Sequence, residues 1–344
     1  MELTLDAIFQ SPDFHLFAFE NERAIFRAMD RDAYRRSVFL DGRIETANPN
    51  AFALPVPLLT SFADRAPVPR SGWIFHVAHC GSTLLARALD LPDRNLVLRE
   101  PLALRQVGVE RANAAATNEA WRAKLRLAAI LAGRRYRPDA PAIVKANVPV
   151  NFIASELLAL DAEAPAIFLY FPLRTYLLAV LRSPGHRQWV VNVTTALEPC
   201  LRERVGSLDG LSVPHRAAAL WLAQMLLYAE AIARFPEARS LHAGDLFEDP
   251  RSALIAAAAH LGTRLSGPEA ESIAAGEIFS TYSKDPGRKF DNEERQAQQA
   301  SIARAIEPEI ASACAWVEAL EARRALREHL DRPLIASSPL LIDV

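Results

Sequence analysis

The sequence predicts an α/β fold in three layers, in which helices cover both faces of a parallel sheet. Short apolar segments with β-forming composition alternate along the chain with segments of helical periodicity, and this alternation is typical of right-handed β-α-β units. The segment 166–171 (AIFLYF) is almost continuously apolar, as expected of a strand that is buried on both faces. In a sheet of this kind, ligands bind outside the carboxyl ends of the strands.

Composition places the chain among soluble globular proteins. Of its 344 residues, 51% are hydrophobic and 23% are charged, which allows a sizeable core in one large domain or two medium ones. The net charge of −2 argues against nonspecific nucleic-acid binding, so no nucleic-acid partner is predicted. Cys80, Cys200 and Cys314 are too few and too widely spaced for a disulfide framework or a zinc site. Since neither a signal-peptide pattern nor an apolar run of membrane-spanning length is present, we expect a cytoplasmic protein.

We expect a single domain over 1–344, made of an N-terminal cap (1–70), an α/β core (71–290) and C-terminal helices (291–344). In the cap, 21–36 is predicted to be helical, and 37–44 (SVFLDGRI) is predicted to be a strand with a turn at Asp41-Gly42. The core contains five strand candidates, which are 73–77, 95–99, 141–145, 166–171 and 239–243.

Helices are predicted from apolar periodicity and from terminal signals. They cover 84–89, 119–135, 151–160, 175–182, 215–235, 250–261 and, after a charged turn at 281–295, the chain to about residue 330. Asp249 is the predicted N-cap of one of them, with Pro250 at its first position and Gly262 after its end. The segment 183–213 has weak periodicity, and either a lid over a substrate or an ordinary surface excursion would account for it.

Residues 73–89 (WIFHVAHCGSTLLARAL) combine a short apolar strand, a turn of small residues and the start of a helix. Such a turn directs several backbone N–H groups towards one point, which is how proteins cradle phosphate. Nucleotide triphosphatases add a lysine directly before the Ser or Thr of this turn, but here Gly81 is followed at once by Ser82 and Thr83. The sequence therefore predicts a three-layer fold of the P-loop type whose loop lacks the triphosphatase lysine.

Several chemically active residues stand at the predicted carboxyl ends of the strands. They are His79 to Thr83 after the first strand, Arg99 and Glu100 after the second, Lys145 at the end of the third, and the segment after Pro172. Because parallel strands end at the same edge of a sheet, phosphate-binding groups and one carboxylate are predicted to converge there.

With these motifs the chain resembles the sulfotransferases, which transfer a sulfuryl group from 3′-phosphoadenosine 5′-phosphosulfate to an acceptor. The strand followed by H-C-G-S-T-L-L-A-R-A-L resembles the family's 5′-phosphosulfate loop. R-E-P after the next strand, the lysine at the end of the third strand, Trp221 in the long helix and L-H-A-G-D-L-F-E-D-P-R-S-A-L…H-L-G also match in order. The resemblance covers roughly residues 70 to 290. It implies the fold predicted above, this donor as co-substrate, no metal, and a hydroxyl or amine acceptor.

The resemblance assigns the donor site to the loop and to two further segments. His79, Cys80, Gly81, Ser82, Thr83 and Leu84 would hold the 5′-phosphosulfate through backbone N–H groups and hydroxyls. Arg174, Arg182 and Ser183 are the candidates for the 3′-phosphate. In the late charged turn, Ser283, Lys284, Arg288 and Lys289 either close over that phosphate or form a solvated loop.

The resemblance also assigns the catalytic residues. Glu100 is the candidate base for the acceptor proton, the alternative being a salt-bridged carboxylate, for instance with Arg99. Lys145 would contact the bridging oxygen or the acceptor, and otherwise it is a surface lysine. His79 departs from the family pattern, which has Lys or Arg at this position, although an imidazole can still donate a hydrogen bond or carry charge. For Arg87 a helix-surface role is the alternative to a phosphate contact.

Two other functions stay open at this point. The first is a nucleotide-dependent kinase, which is disfavoured by the missing loop lysine and by the lack of an apolar strand ending in an aspartate for magnesium. The second is a nucleotide-binding protein that has lost activity, for which the substitution at His79 is the main argument. The sequence identifies neither the acceptor, whether small molecule, glycan or peptide, nor the oligomeric state.

Overall fold

The computed structural model describes residues 4–113, 118–282, 285–289, 292–337 and 339–342, and the side chains of 280–301 are not described. The chain forms two compact units. The first comprises the chain up to Phe75, Ala86–Ala166 and Ala258–Arg264, and the second comprises His76–Leu85, Ile167–Ala257 and the chain from Leu265 onward.

The predicted α/β fold is confirmed. The principal sheet has five strands: β4 (Ser71–His76), β5 (Leu96–Arg99), β6 (Ala142–Lys145), β7 (Ala166–Tyr170) and β8 (Ala238–His242). Their order is β5-β6-β4-β7-β8, and β6 pairs in parallel with both β4 and β5. Every residue of β4, β5, β6 and β7 is buried, which is the condition under which near-continuous apolar runs form a parallel sheet.

The first unit also contains an antiparallel sheet of β1 (Phe14–Glu20), β2 (Arg23–Ala28) and β3 (Ala51–Pro55), with β2 in the middle. Its helices are α1 (Leu5–Gln10), α2 (Arg31–Arg36), α3 (Val56–Ala63), α5 (Leu102–Asn113), α6 (Glu119–Ala132), α7 (Val148–Asn151) and α8 (Ala154–Leu158). Asn118 caps α6 by accepting from the Trp121 N–H at 2.8 Å.

The second unit is mainly helical around β7 and β8. Its helices are α4 (Ser82–Ala88, which continues into the first unit), α9 (Leu173–Leu181), α10 (Pro184–Ala196), α11 (Glu198–Val205), α12 (Val213–Arg234), α13 (Ala243–Glu248), α14 (Pro250–His260), α15 (Gly267–Ala274), α16 (Glu277–Ser280) and α17 (Asn292–Ala319). A two-stranded ladder of β9 (Thr281–Tyr282) and β10 (Asp285–Lys289), and a 3₁₀ helix at Glu321–Ala325, complete the elements.

The helix predicted over 21–36 is wrong for its first half. Arg23–Ala28 is the central strand of the antiparallel sheet, with Ala24 and Phe26 fully buried and their neighbours partly exposed, which is the period-two pattern of a strand. Asp30 then caps α2 by accepting from the Ala33 N–H at 2.6 Å. Because Arg31–Arg36 is helical, the sequence pattern over 21–36 did not distinguish the strand at Arg23–Ala28 from this helix.

The strand predicted over 37–44 is also wrong, whereas its turn is confirmed. The Ile44 N–H donates to Asp41 O at 2.9 Å and closes the turn. Only Leu40 pairs with the carboxyl end of β5, donating to Arg99 O at 2.7 Å and accepting from the Leu102 N–H at 3.0 Å. Hydrogen bonds at one residue do not form a strand pairing, so 37–44 is not a β-strand.

The segment 183–213 is neither a lid loop nor an irregular excursion, because α10 and α11 occupy most of it. Its proline and glycine residues are helix-boundary signals. Ser183 is the N-cap of α10 with Pro184 at the first position, Pro199 lies in the first turn of α11, and Gly206 follows the end of α11.

Other boundaries differ less. The helix predicted over 151–160 is two short helices, the charged turn at 281–295 contains the β9–β10 ladder, and the last long helix ends at Ala319 rather than near residue 330. Asp249 caps α14 as predicted, since its Oδ1 accepts from the Ser252 N–H at 3.0 Å. Among the described residues, no helix combines the length and the apolar character that crossing a membrane requires.

Candidate functional site

The turn that follows β4, in the second unit, has an unusual backbone. Ala78, His79 and Gly81 have φ angles of 72°, 52° and 84°. Residues other than glycine rarely adopt such left-handed conformations, and each costs on the order of 1 kcal/mol or more. The turn that the sequence predicted as a phosphate cradle therefore has a strained backbone, and its binding of phosphate stays a prediction.

Gly81 is required twice in this turn. Its φ of 84° disfavours any side chain, and a Cβ atom would lie 2.8 Å from Phe247 Cζ and 3.3 Å from Leu246 Cδ2. Its carbonyl accepts from the Leu85 N–H at 2.9 Å, so α4 begins directly at the turn. Ser82 and Thr83, the two predicted hydroxyl donors, are only 4% and 3% exposed.

His76 and Cys80 support the turn from within the second unit. His76 Nδ1 accepts from the Ala78 N–H at 3.0 Å, so this imidazole stabilises the first strained residue of the turn. The Cys80 thiol is fully buried and lies 3.8 Å from Leu169 O. Because its position requires a small buried side chain, packing accounts for Cys80 without any redox role.

His79, the residue that departs from the family pattern, is half-buried against α10. Its ring centroid lies 4.5 Å from that of His186 and 5.2 Å from that of Trp189, at interplanar angles of 49° and 85°. The imidazole of His79 thus has an aromatic contact on two neighbouring turns of one helix. Sequence reasoning did not identify His186 or Trp189, although the Ser183-Pro184 helix start could have indicated that both belong to one helical face.

Arg182 and Ser183 belong to the same cluster. Arg182 Nε donates to His186 Nε2 at 2.9 Å, and Ser183 Oγ lies 2.7 Å from His186 Nδ1. These two predicted phosphate ligands are therefore joined to His79 through His186. Arg174, the third candidate, forms an ion pair with Glu307 of α17 instead.

In the first unit, the predicted base and the predicted lysine form an ion pair with each other. Lys145 Nζ donates to Glu100 Oε1. The Lys145 side chain is fully buried, and the Glu100 side chain is 19% exposed. Glu100 also has a φ of 57°, directly after β5 and before Pro101, and its N–H donates to Lys145 O at 2.8 Å. Lys145 is thus not a surface residue, and its hydrogen bond orients the carboxylate of Glu100.

An aromatic ring and a second cation lie next to this pair. Phe39 contacts Lys145 Nζ at 5.2 Å from its ring centroid and the Arg43 guanidinium at 4.0 Å. Arg43 is paired with Asp41, whose hydrogen bond raises the pKa of the guanidinium, and the charge of Glu100 acts in the same direction. Phe39 and Arg43, which flank the predicted turn at Asp41-Gly42, therefore contribute to the surroundings of Glu100.

Arg99 does not pair with Glu100. Its guanidinium is buried, contacts Asp90 Oδ2 at 3.1 Å and donates to backbone carbonyls of Tyr34, Arg35 and Ser37. Burial lowers the pKa of Arg99, Asp90 opposes this shift, and the nearby positive charge of Arg87 adds to it. Arg99 thus links residues 34–37 to β5, whereas the carboxylate of Glu100 forms its ion pair with Lys145.

The remaining predicted residues lie elsewhere or outside the description. Ser283 and Lys284 are outside the described residues, and the side chains of Arg288 and Lys289 in β10 are also undescribed. Trp221 is a core residue that donates to Phe171 O at 2.9 Å. In the described part of the chain, no three His, Cys, Asp or Glu side chains are grouped closely enough to hold a metal ion.

No family model matches the chain, and no curated protein matches it. Among solved structures, a sulfotransferase domain from the curacin biosynthetic pathway is 14% identical, with a TM-score of 0.44 over 70% of this chain and 99% of that domain. A sulfotransferase from Alicyclobacillus acidocaldarius is 14% identical, with a TM-score of 0.34 over 74% of this chain and 98% of that protein. Similarity at this level assigns no activity, so the function is argued from the site.

Proposed function

We propose that this protein is a cytoplasmic sulfotransferase that moves a sulfuryl group from 3′-phosphoadenosine 5′-phosphosulfate to a hydroxyl or amine acceptor, and that 1–344 acts as one domain in doing so. The turn at 78–83 would bind the 5′-phosphosulfate. Arg182 and Ser183 are the proposed ligands of the 3′-phosphate. In the reaction the acceptor oxygen or nitrogen bonds to sulfur while the bond from sulfur to the phosphate oxygen breaks, and Glu100 takes the acceptor's proton.

The observation that carries this proposal is the conformation of the turn. Ala78, His79 and Gly81 hold left-handed conformations at a cost in stability, and structures keep such strain mainly where it serves binding or catalysis. The turn has an imidazole and two hydroxyls but no triphosphatase lysine. This set of donors suits one phosphate bearing a sulfuryl group, because such a donor has no β- and γ-phosphates to neutralise.

The ion pair of Glu100 and Lys145 supports the acceptor half of the proposal. Lys145 Nζ donates to one carboxylate oxygen of Glu100 and so holds that carboxylate in place. The partial exposure of Glu100 leaves it accessible, while Lys145 is not. We therefore assign proton removal to Glu100, and to Lys145 the orientation of that carboxylate.

Ligand-induced thermal shifts separate the proposed function from a kinase. We expect 3′-phosphoadenosine 5′-phosphate to raise the melting temperature of the full chain in the absence of magnesium, since ligand binding to the native state stabilises it. Stabilisation by ATP that requires magnesium, with none by the 3′,5′-bisphosphate, would reject the sulfuryl donor and favour the kinase.

Replacement of Glu100 tests activity. With labelled donor and a panel of hydroxyl and amine acceptors, Glu100→Gln should lower kcat by about 10²- to 10⁴-fold, the usual contribution of a general base, and leave the affinity for the 3′,5′-bisphosphate unchanged. Glu110→Gln is the matched control, because Glu110 pairs with Lys124 at the surface. Full activity of the Glu100 variant would remove it as the base. Binding of the bisphosphate without transfer to any acceptor would favour a silent member of the fold.

A further inference from the structure

We propose that His186 is a positioning residue for the ring of His79, and that Arg182 and Ser183 keep His186 neutral so that it does not oppose a proton on His79. This inference rests on the proposed function for its role in catalysis, but not for the protonation state of His186. All the residues involved lie in the second unit.

The hydrogen bonds of His186 determine where its proton is. Arg182 Nε donates to His186 Nε2 at 2.9 Å, and a guanidinium is always a donor, so Nε2 must offer its lone pair. The proton of the neutral ring is therefore on Nδ1, which lies 2.7 Å from Ser183 Oγ and donates to it. Both ring nitrogens of His186 are thus occupied in the neutral form.

The same bonds fix the orientation of the ring. Ser183 is the N-cap of α10, and Arg182 directly precedes it, so both partners of His186 are held at the rigid start of the helix. Trp189 follows one turn later on the same helical face. The imidazole of His79 meets His186 at 4.5 Å and Trp189 at 5.2 Å between ring centroids. A ring on a left-handed residue of the turn is thereby held by two side chains of α10.

The charge follows from this arrangement. Two imidazolium rings at this separation would repel each other, and a proton on His186 Nε2 would also displace the bond from Arg182. With His186 neutral, no second imidazolium opposes a proton on His79, and among the described side chains of this cluster Arg182 is the only cation. An imidazole with a fixed orientation beside the donor's anionic oxygens can then donate a hydrogen bond in place of the permanent cation.

The protonation state can be measured without any assay of activity. We would record long-range ¹H–¹⁵N NMR spectra of the full chain at neutral pH with labelled histidine, of which there are eight, and assign two of them by the signals lost in His79→Gln and His186→Gln. The expected result is a neutral His186 protonated at Nδ1. An imidazolium at His186, or a proton on Nε2, would overturn the proposal whether or not the protein transfers sulfuryl groups.

A comparison of two backgrounds tests the positioning role. His186→Phe keeps a ring but loses both hydrogen bonds, and in the natural background we expect about a tenfold loss in affinity for 3′-phosphoadenosine 5′-phosphate or in kcat. In a His79→Lys background the loss should stay within about twofold, because a lysine needs no ring to orient it. Equal losses in both backgrounds would show that His186 acts through the fold or through Arg182 and Ser183 rather than through His79, and would reject the proposal.

The chain provides a matched control for the substitution itself. His215 stands at the start of α12, with Nδ1 2.7 Å from Ser212 Oγ and its ring 5.6 Å from that of Trp316, so it copies the Ser-x-x-His arrangement away from the turn. His215→Phe should leave donor affinity unchanged. If the unsubstituted chain binds no bisphosphate, the proposed function fails, and the NMR measurement still decides the state of His186.

Discussion

Two groups of candidate residues, the turn at 78–83 and the pair of Glu100 and Lys145, rest on different physical principles. In the second unit, the turn at 78–81 has a strained backbone and contributes a half-buried imidazole. In the first unit, Glu100 and Lys145 form an ion pair whose lysine side chain is fully buried. A turn that binds a large anion can rely on many weak dipoles, whereas a base for one proton requires a single charge under control.

Because of this difference, different substitutions should damage the turn and the ion pair. Backbone geometry holds the turn, so a single added methyl group should damage it. Glu100 and Lys145 compensate each other's charge, so the removal of one charge should destabilise the protein more than the removal of both.

The largest stability effect is expected from Lys145→Met. It leaves the Glu100 carboxylate next to an apolar side chain, and we expect a loss of about 3 kcal/mol in the free energy of unfolding, near the lower end for a broken buried pair because Glu100 retains some exposure. Denaturant unfolding measures it. Adding Glu100→Gln to this variant should restore part of the loss. Lys124→Met is the control, because it breaks the surface pair with Glu110. An equal loss of stability in both lysine variants would show that burial of Lys145 does not make its ion pair more important.

Gly81→Ala should have the next largest effect. The substitution places a Cβ 2.8 Å from Phe247 Cζ at a φ of 84°, and we expect a loss of about 1–3 kcal/mol together with weaker binding of the 3′,5′-bisphosphate. Gly262→Ala is the matched control, because Gly262 has a φ of 77° but a Cβ added there would have no atom within 4 Å. Calorimetry of both variants separates the two effects, because both have the unfavourable φ angle but only Gly81→Ala also has the steric clash. Unchanged binding in Gly81→Ala would mean that the turn is not an anion site.

Near neutral pH, the smallest effect is expected from a buried imidazole in the first unit. Burial, and then the positive charge of Arg134, lowers the pKa of His15 to about 3. The native state therefore keeps this imidazole neutral, while the unfolded chain binds a proton below about pH 6.5. The free energy of unfolding should fall as the pH falls from about 6.5 towards 3, by up to about 1.4 kcal/mol per pH unit from this group.

His15→Phe isolates this contribution, since it keeps the ring that packs edge-on against Tyr34 at 5.7 Å. Between neutral pH and about pH 5, its stability should decrease less steeply than that of the natural protein. His329→Phe, at an exposed histidine, should not change the slope. Parallel curves for His15→Phe and the natural protein would show that burial of this imidazole has no electrostatic cost.

Local patterns were sufficient for most of the fold. The core strands, the long helix α12 and the capped helix α14 follow from apolar runs and terminal residues. Patterns failed in 21–36, where a strand with period two is followed directly by a helix. They also failed in 183–213, where proline and glycine residues at helix boundaries resemble those of a loop. In both places neighbouring elements decided the outcome: β1 and β3 pair with Arg23–Ala28, and Ser183 and Pro184 begin a helix rather than end one.

The sequence by itself determined the residue types of the candidate site: a phosphate turn without the triphosphatase lysine, a glutamate after one strand and a lysine at the end of the next. It did so because those features depend on short stretches of chain. Only the tertiary structure decided their partners, since Lys145 meets Glu100 across 45 residues and His79 meets His186 across more than a hundred. Pairing over such separations depends on how strands and helices pack, and no local pattern of the chain records that packing.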